Sequence, residues 1–178
     1  VKREIVEVII PHFKIGYTFD VNQTEGKPLV ELSQQLTGEL TDSQKELKDA
    51  LLQISPIPVS FQPIEGSANG FYSLDKNAIT VDSTLSEKQS VKTLIHEIAH
   101  ATIHNINIPD APKDSPTREV QAESIAYVVC QYFGMDVSDY SFGYIAGWST
   151  GKDTKELKES LEIIHDTSND IISKTEQT

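Results

Sequence analysis

Apolar residues recur at helical spacing in several stretches of this chain, and short β-branched runs lie between them, an order that predicts an α+β fold. Residues 29–36 form a short helical pattern closed by Gly38. A capping box at Thr41 and Gln44 then leads into Leu47, Leu51 and Leu52, with Pro56 and Pro58 ending that helix. Ser86-Glu87-Lys88-Gln89 is a second capping box, and Val91, Leu94, Ile95, Ile98 and Ala99 follow it with one buried face. Ser115-Pro116, a capping serine with proline at the first helical position, opens another helix that stops at Gly134. From Thr154 on, Leu157, Leu161, Ile164 and Ile171 mark an amphipathic terminal helix with a charged opposite face.

Residues 4–10 and 15–21 carry β-branched and aromatic side chains and read as one or two strands interrupted at Pro11. Residues 59–64, 70–73 and 78–82 read as three more, with Asp75-Lys76-Asn77 as the turn of a hairpin between the last two. The aromatic, glycine-rich residues 140–148 suggest a short helix or loop packed near the functional site.

The second capping box feeds His96-Glu97-Ile98-Ala99-His100, an H-E-x-x-H pattern. Residues four apart on a helix sit about 40° apart around the axis and roughly 6 Å along it, so both imidazoles can share one metal ion. Glu97 lies one position round. Its carboxylate can reach a water on that ion without being a ligand, as a general base requires. Three matched residues occur by chance in about one chain in a few hundred, so the predicted helix around them carries much of the weight.

A zinc hydrolase takes three protein ligands and leaves the fourth place to water. On the next predicted helix Glu119 and Glu123 stand one turn apart on one face. Glu119 is taken as the third ligand, and Glu123 would then accept a hydrogen bond from the far nitrogen of a ligand histidine; the reverse assignment is the alternative. His104 continues the i, i+4 series but stands about 12 Å along the axis from His96, too far to share an ion with it. It is read as a group behind the ligands, a substrate-facing group, or polar surface. Tyr72, Tyr127, Tyr140 and Tyr144 could polarise a carbonyl, although packing is the commoner role for such residues. His12 and His165 carry no signal.

Four blocks, in order, carry a family resemblance. They are Phe19-Asp20-Val21-Asn22-Gln23-Thr24-Glu25-Gly26, Asn69-Gly70-Phe71-Tyr72-Ser73, Thr93-Leu94-Ile95-His96-Glu97-Ile98-Ala99-His100, and Glu119-Val120-Gln121-Ala122-Glu123-Ser124-Ile125-Ala126-Tyr127. Together they resemble the metallopeptidase domain of ArdC-like antirestriction proteins of bacterial conjugative elements, themselves similar to the IrrE and ImmA peptidases. The paired helices look like the gluzincin arrangement typified by thermolysin. The resemblance implies a zincin-like single domain of α+β class. Its small mixed sheet would lie beside the H-E-x-x-H helix and a following Glu-bearing helix, with a C-terminal helix besides.

It further implies one zinc ion on His96, His100 and Glu119, and peptide hydrolysis by metal-activated water, with Glu97 taking the water's proton and handing it to the leaving amine. Zincin-type sites present an edge strand to substrate, for which Gly70, Phe71 and Tyr72 are the candidates; a half-buried sheet is the plainer reading. The biological setting implied is antirestriction or regulation of transfer. A different class of reading keeps the zinc without catalysis, as a binding module that occupies a host restriction enzyme or a regulator. Cleavage of an element-encoded repressor is a third.

With 178 residues and 38% hydrophobic content, the chain suits one domain, residues 1–178. Its first residue is valine, and the expectation is a fragment lacking the single-stranded-DNA-binding region that precedes the peptidase in ArdC-like proteins. The 15 basic and 27 acidic residues give a net charge of −12, which repels a phosphate backbone, so this fragment is not expected to bind nucleic acid itself. No apolar run is long enough to cross a bilayer, and no basic-then-apolar leader is present. The single Cys130 lies among apolar neighbours, which suits a core position, and a cytoplasmic setting is expected.

Overall fold

The computed structural model describes residues 35–105, 108, 114–138 and 154–178, all within the unit Glu31–Thr178. The elements are α1 (Asp42–Ile54), β1 (Val59–Gln62), β2 (Gly70–Ser73), β3 (Ala78–Asp82), α2 (Glu87–Ile103), α3 (Ser115–Tyr132) and α4 (Thr154–Glu176). Among the described residues this is a mixed α+β fold of one three-stranded sheet and four helices. The strands expected over 4–10 and 15–21, the helix over 29–36 and the aromatic stretch 140–148 lie outside those residues, apart from Gln35 and Leu36, which are not helical.

β3 is the central strand, parallel to β1 and antiparallel to β2. Ile79 and Val81 point from it into the core and are fully buried, as the alternation of a half-buried strand requires. β1 ends at Gln62, two residues short of the expected limit, because Pro63 has no N–H to continue a ladder. The hairpin loop is Leu74 to Asn77, and Asn77 takes a φ of 45°, a left-handed conformation that asparagine tolerates.

α2 packs on β2 and β3 and is covered on its other side by α3, which in turn contacts α4. That sandwich explains why α2 is buried almost all round, from Gln89 to Ala101. Its N-cap follows the predicted box only in part. Ser86 Oγ accepts from the Gln89 N–H at 3.2 Å, but the Gln89 side chain does not reach back. Gln89 Oε1 accepts from the Leu36 N–H at 2.9 Å and its Nε2 donates to Thr93 Oγ1, because the segment before α1 crosses over this helix start and leaves a donor there to satisfy. At α1 both halves of the box form, with Thr41 and Gln44 bonding reciprocally. Leu47 and Leu51 of that helix are buried, whereas Leu52, 100° further round, is exposed.

α3 begins one residue earlier than expected. Asp114, not Ser115, is its N-cap, accepting from the Thr117 N–H at 2.9 Å, and Pro116 occupies the second helical position, where an N–H is also unneeded. Its end is a Schellman turn: the Met135 N–H reaches Cys130 O at 2.8 Å, the Gly134 N–H reaches Gln131 O at 3.1 Å, and Gly134 has φ 70°. Cys130 is buried. In α4 the expected leucine stripe is corrected: Leu161 is 62% exposed, and the buried face is Ser160, Ile164, Thr167, Ser168, Ile171, Ile172 and Thr175. Small polar side chains on that face let α4 approach α3 closely. No described helix is long and apolar enough to cross a membrane.

Candidate metal centre

The i, i+4 spacing sets His96 and His100 on one face of α2, and their Nε2 atoms stand 3.1 Å apart. α3 brings Glu119 to the same point, with Oε2 3.5 Å from His96 Nε2 and Oε1 3.6 Å from His100 Nε2. Ligands at about 2.0–2.1 Å in tetrahedral array lie about 3.3–3.4 Å from one another. The three side chains therefore fit a single divalent ion without rearrangement. Among the described residues they form the one group of histidine, cysteine or carboxylate side chains clustered closely enough to hold a metal.

Glu123 is placed elsewhere. Its Oε2 faces the back of the His96 ring, 3.3 Å from the buried Nδ1. The same oxygen accepts from Lys92 Nζ at 2.7 Å, both side chains being 3% exposed. Lys92 stands one turn before His96 and was not singled out in the sequence. A lysine inside an otherwise buried helix face was the available signal.

His104 is the α2 C-cap and is buried, which corrects its reading as polar surface. Its Nδ1 lies 2.9 Å from His100 Nδ1 and its Nε2 2.9 Å from Gln121 Oε1. The back of the second imidazole is thus met by a histidine rather than a carboxylate. Gln121 carried no local signal, since only the docking of α3 on α2 brings it there.

The electrostatics suit a cation. Burial by itself would lower His96, but Glu119 and Glu123 outweigh it and raise the imidazole to about 9. His100 and His96 together hold Glu119 well below the usual carboxylate range despite partial burial. Burial pushes Glu97 up, opposed by the two imidazoles and by the Tyr72 N–H, which bonds to its carboxylate. Burial lowers Lys92 against the pull of Glu123, and burial lowers His104 to about 4 against its bond to Gln121.

A cleft of about 490 Å³ opens over these groups, walled by β2 on one side. Gly70, Phe71 and Tyr72 all line it. The Asp82 N–H bonds to Asn69 O across the hairpin, so by antiparallel alternation the main-chain groups of Gly70 and Tyr72 point away from β3, along the outer edge of β2. Gly70 also has a packing reason: a Cβ there would stand 2.7 Å from Thr93 Cγ2 and 3.0 Å from Thr80 O. Phe71 turns its ring outward, 41% exposed, and Tyr72 is half-buried toward the core. Tyr127 packs against that core as well, and Tyr140 and Tyr144 lie outside the described residues.

No protein-family model matches this chain. It is 30% identical over 174 residues to an uncharacterized protein of Bacillus anthracis, pXO2-81, a match covering 87% of this chain and 29% of that protein. It also superimposes on the crystal structure of the Mn(II)-bound antirestriction protein ArdC from the R388 plasmid. That match has a TM-score of 0.53 and 16% identity, and covers 88% of this chain and 61% of the other. The chain shares the ArdC fold. It spans less than two thirds of either protein's length, and the ArdC structure is the one that holds Mn(II).

Proposed function

We propose that this chain is a metal-dependent peptidase domain of gluzincin type, related to the zincins and to the IrrE and ImmA peptidases, working in plasmid antirestriction or control of transfer. The observation that carries the reading is the convergence of three side chains, the two imidazole Nε2 atoms 3.1 Å apart and a Glu119 oxygen 3.5–3.6 Å from each, with Glu97 beside the histidines on their helix. His96, His100 and Glu119 would hold the ion. Zinc suits two imidazoles and a carboxylate, and manganese is what the similar ArdC structure contains. When bound, the ion supplies Lewis-acid chemistry, acidifying water and polarising a peptide carbonyl.

The chain's own groups supply the rest. Glu97 is raised by burial yet oriented by the Tyr72 N–H, so its carboxylate can take a proton from water and return it to the leaving amine. The outer edge of β2 offers the Gly70 main chain and the Tyr72 carbonyl to an extended peptide. The chain's net charge of −12 favours a protein or peptide substrate over nucleic acid, in the cytoplasm.

Incubating the Zn(II)- or Mn(II)-loaded chain with a peptide library, read by mass spectrometry, tests this. Cleavage by wild type and none by Glu97→Gln, with metal content equal, is the expected result. A second reading is a metal-stabilised module that blocks a restriction enzyme without cutting it, favoured by the antirestriction role in the name of the ArdC neighbour. Antirestriction that survives Glu97→Gln supports that reading instead.

A further inference from the structure

We propose that His104, Gln121 and Ser160 form a hydrogen-bonded relay that selects the tautomer of His100 and so leaves the His100 Nε2 lone pair open to a cation. The relay runs inward from α4. Gln121 Nε2 donates to Ser160 Oγ at 3.0 Å, and in that orientation of the amide Oε1, a pure acceptor, faces His104. His104 Nε2, 2.9 Å away, must then carry the proton and donate it. In a neutral ring that leaves His104 Nδ1 as the acceptor. Its partner at 2.9 Å is His100 Nδ1, which must therefore bear the proton. The remaining nitrogen of His100 is Nε2, the atom that stands in the triangle with His96 and Glu119.

Once the amide is oriented, each link follows from the one before it, and the outer end of the relay lies on α4. Gln121, His104 and Ser160 are all buried, at 1%, 6% and 3% exposure, so water does not substitute for a missing link. With the Gln121 amide reversed, every donor along the path would reverse too, and a proton would sit on His100 Nε2 where the ion belongs. These are positioning residues. They act through His100, and Glu123 and Lys92 do the comparable work behind His96 by charge.

The inference rests on the metal reading only for its purpose, and the tautomer can be read without metal. In the metal-free, 15N-labelled full chain, long-range 1H–15N spectra should show His100 protonated at Nδ1 and bare at Nε2, with His104 protonated at Nε2. A His100 ring protonated at Nε2 and bare at Nδ1 overturns the relay, whatever any variant does. His104→Leu and Gln121→Met should mix the His100 tautomers and weaken Zn(II) binding about 10- to 100-fold. His104→Gln, which restores an amide oxygen toward His100, should bind Zn(II) close to wild type; equal loss in His104→Leu and His104→Gln would count against the relay and for simple packing. If wild type shows the expected tautomers and takes up no Zn(II), the relay stands and the metal reading falls.

Discussion

Lys92 Nζ and Glu123 Oε2 meet 2.7 Å apart in a place where both side chains are 3% exposed, directly behind His96. A buried pair of this kind contributes little net stability when intact, yet removing the lysine takes the nearest cation from a carboxylate that stays in the core. Lys92→Met should therefore cost about 3–5 kcal/mol, read from urea unfolding of the metal-free chain. Lys92→Met combined with Glu123→Leu should recover most of that loss. If the double variant were as unstable as the single one, the cost would come from packing and not from charge.

The two glutamates of α3 should separate by metal analysis. Glu119→Ala removes an atom from the ligand triangle and should abolish stoichiometric Zn(II) uptake, while Glu123→Ala keeps all three ligands and should weaken binding about 10- to 100-fold. A melting-temperature series against Zn(II) gives the same ordering, because an ion at 100 times its dissociation constant adds about 2.7 kcal/mol to the folded state. Equal metal content in Glu119→Ala and wild type would remove Glu119 from the ligand set.

His96 makes the metal-free chain sensitive to alkali. Its folded pKa of about 9 lies above the ordinary 6.5, so the proton it holds between Glu119 and Glu123 stabilises the fold fully below 6.5. That contribution is lost as pH rises through 9. Thermal melts in EDTA should fall from pH 6.5 to pH 9.5 for wild type, and less steeply for His96→Asn. Loading Zn(II) at pH 7.5 should release the His96 proton, measurable by calorimetry in buffers of different ionisation enthalpy.

Gly70 should tolerate no side chain. Gly70→Ala places a methyl 2.7 Å from Thr93 Cγ2 and 3.0 Å from Thr80 O, forcing β2 away from α2, at a cost of about 1–3 kcal/mol. Thr93→Ser removes the nearer methyl while keeping the hydroxyl that bonds Gln89, so it should relieve part of the loss. The remainder reflects the Thr80 carbonyl, which no side-chain change relieves. Because Glu97 takes a bond from Tyr72 on the same strand, Gly70→Ala should also lower the peptide cleavage proposed for this site. Unchanged stability in Gly70→Ala would mean that β2 moves more readily than its packing implies.

Features governed by neighbours within one turn were legible without coordinates. The period of the helix sets His96 and His100 on one face and Glu97 beside them, the Thr41 box closes on its own Gln44, and Gly134 ends α3 because only its left-handed φ completes the Schellman turn. Where a distant segment competes for the same atoms, local rules gave the wrong partner. Gln89 leaves its own cap for the Leu36 N–H, Asp114 displaces Ser115 as the cap of α3, and Leu161 turns outward while Ser160 is buried.

The centre divides along the same line. Its two imidazoles and the adjacent carboxylate belong to a single helix, so the chain order alone determines their spacing. Which glutamate faces them, the burial of His104 and the pairing of Lys92 with Glu123 depend on how α3 docks on α2 and α4 on α3. Those contacts join residues far apart in the chain, and no periodicity records them. They arise from close packing of whole helix faces, which selects a single relative rotation and depth from the many that the apolar pattern permits.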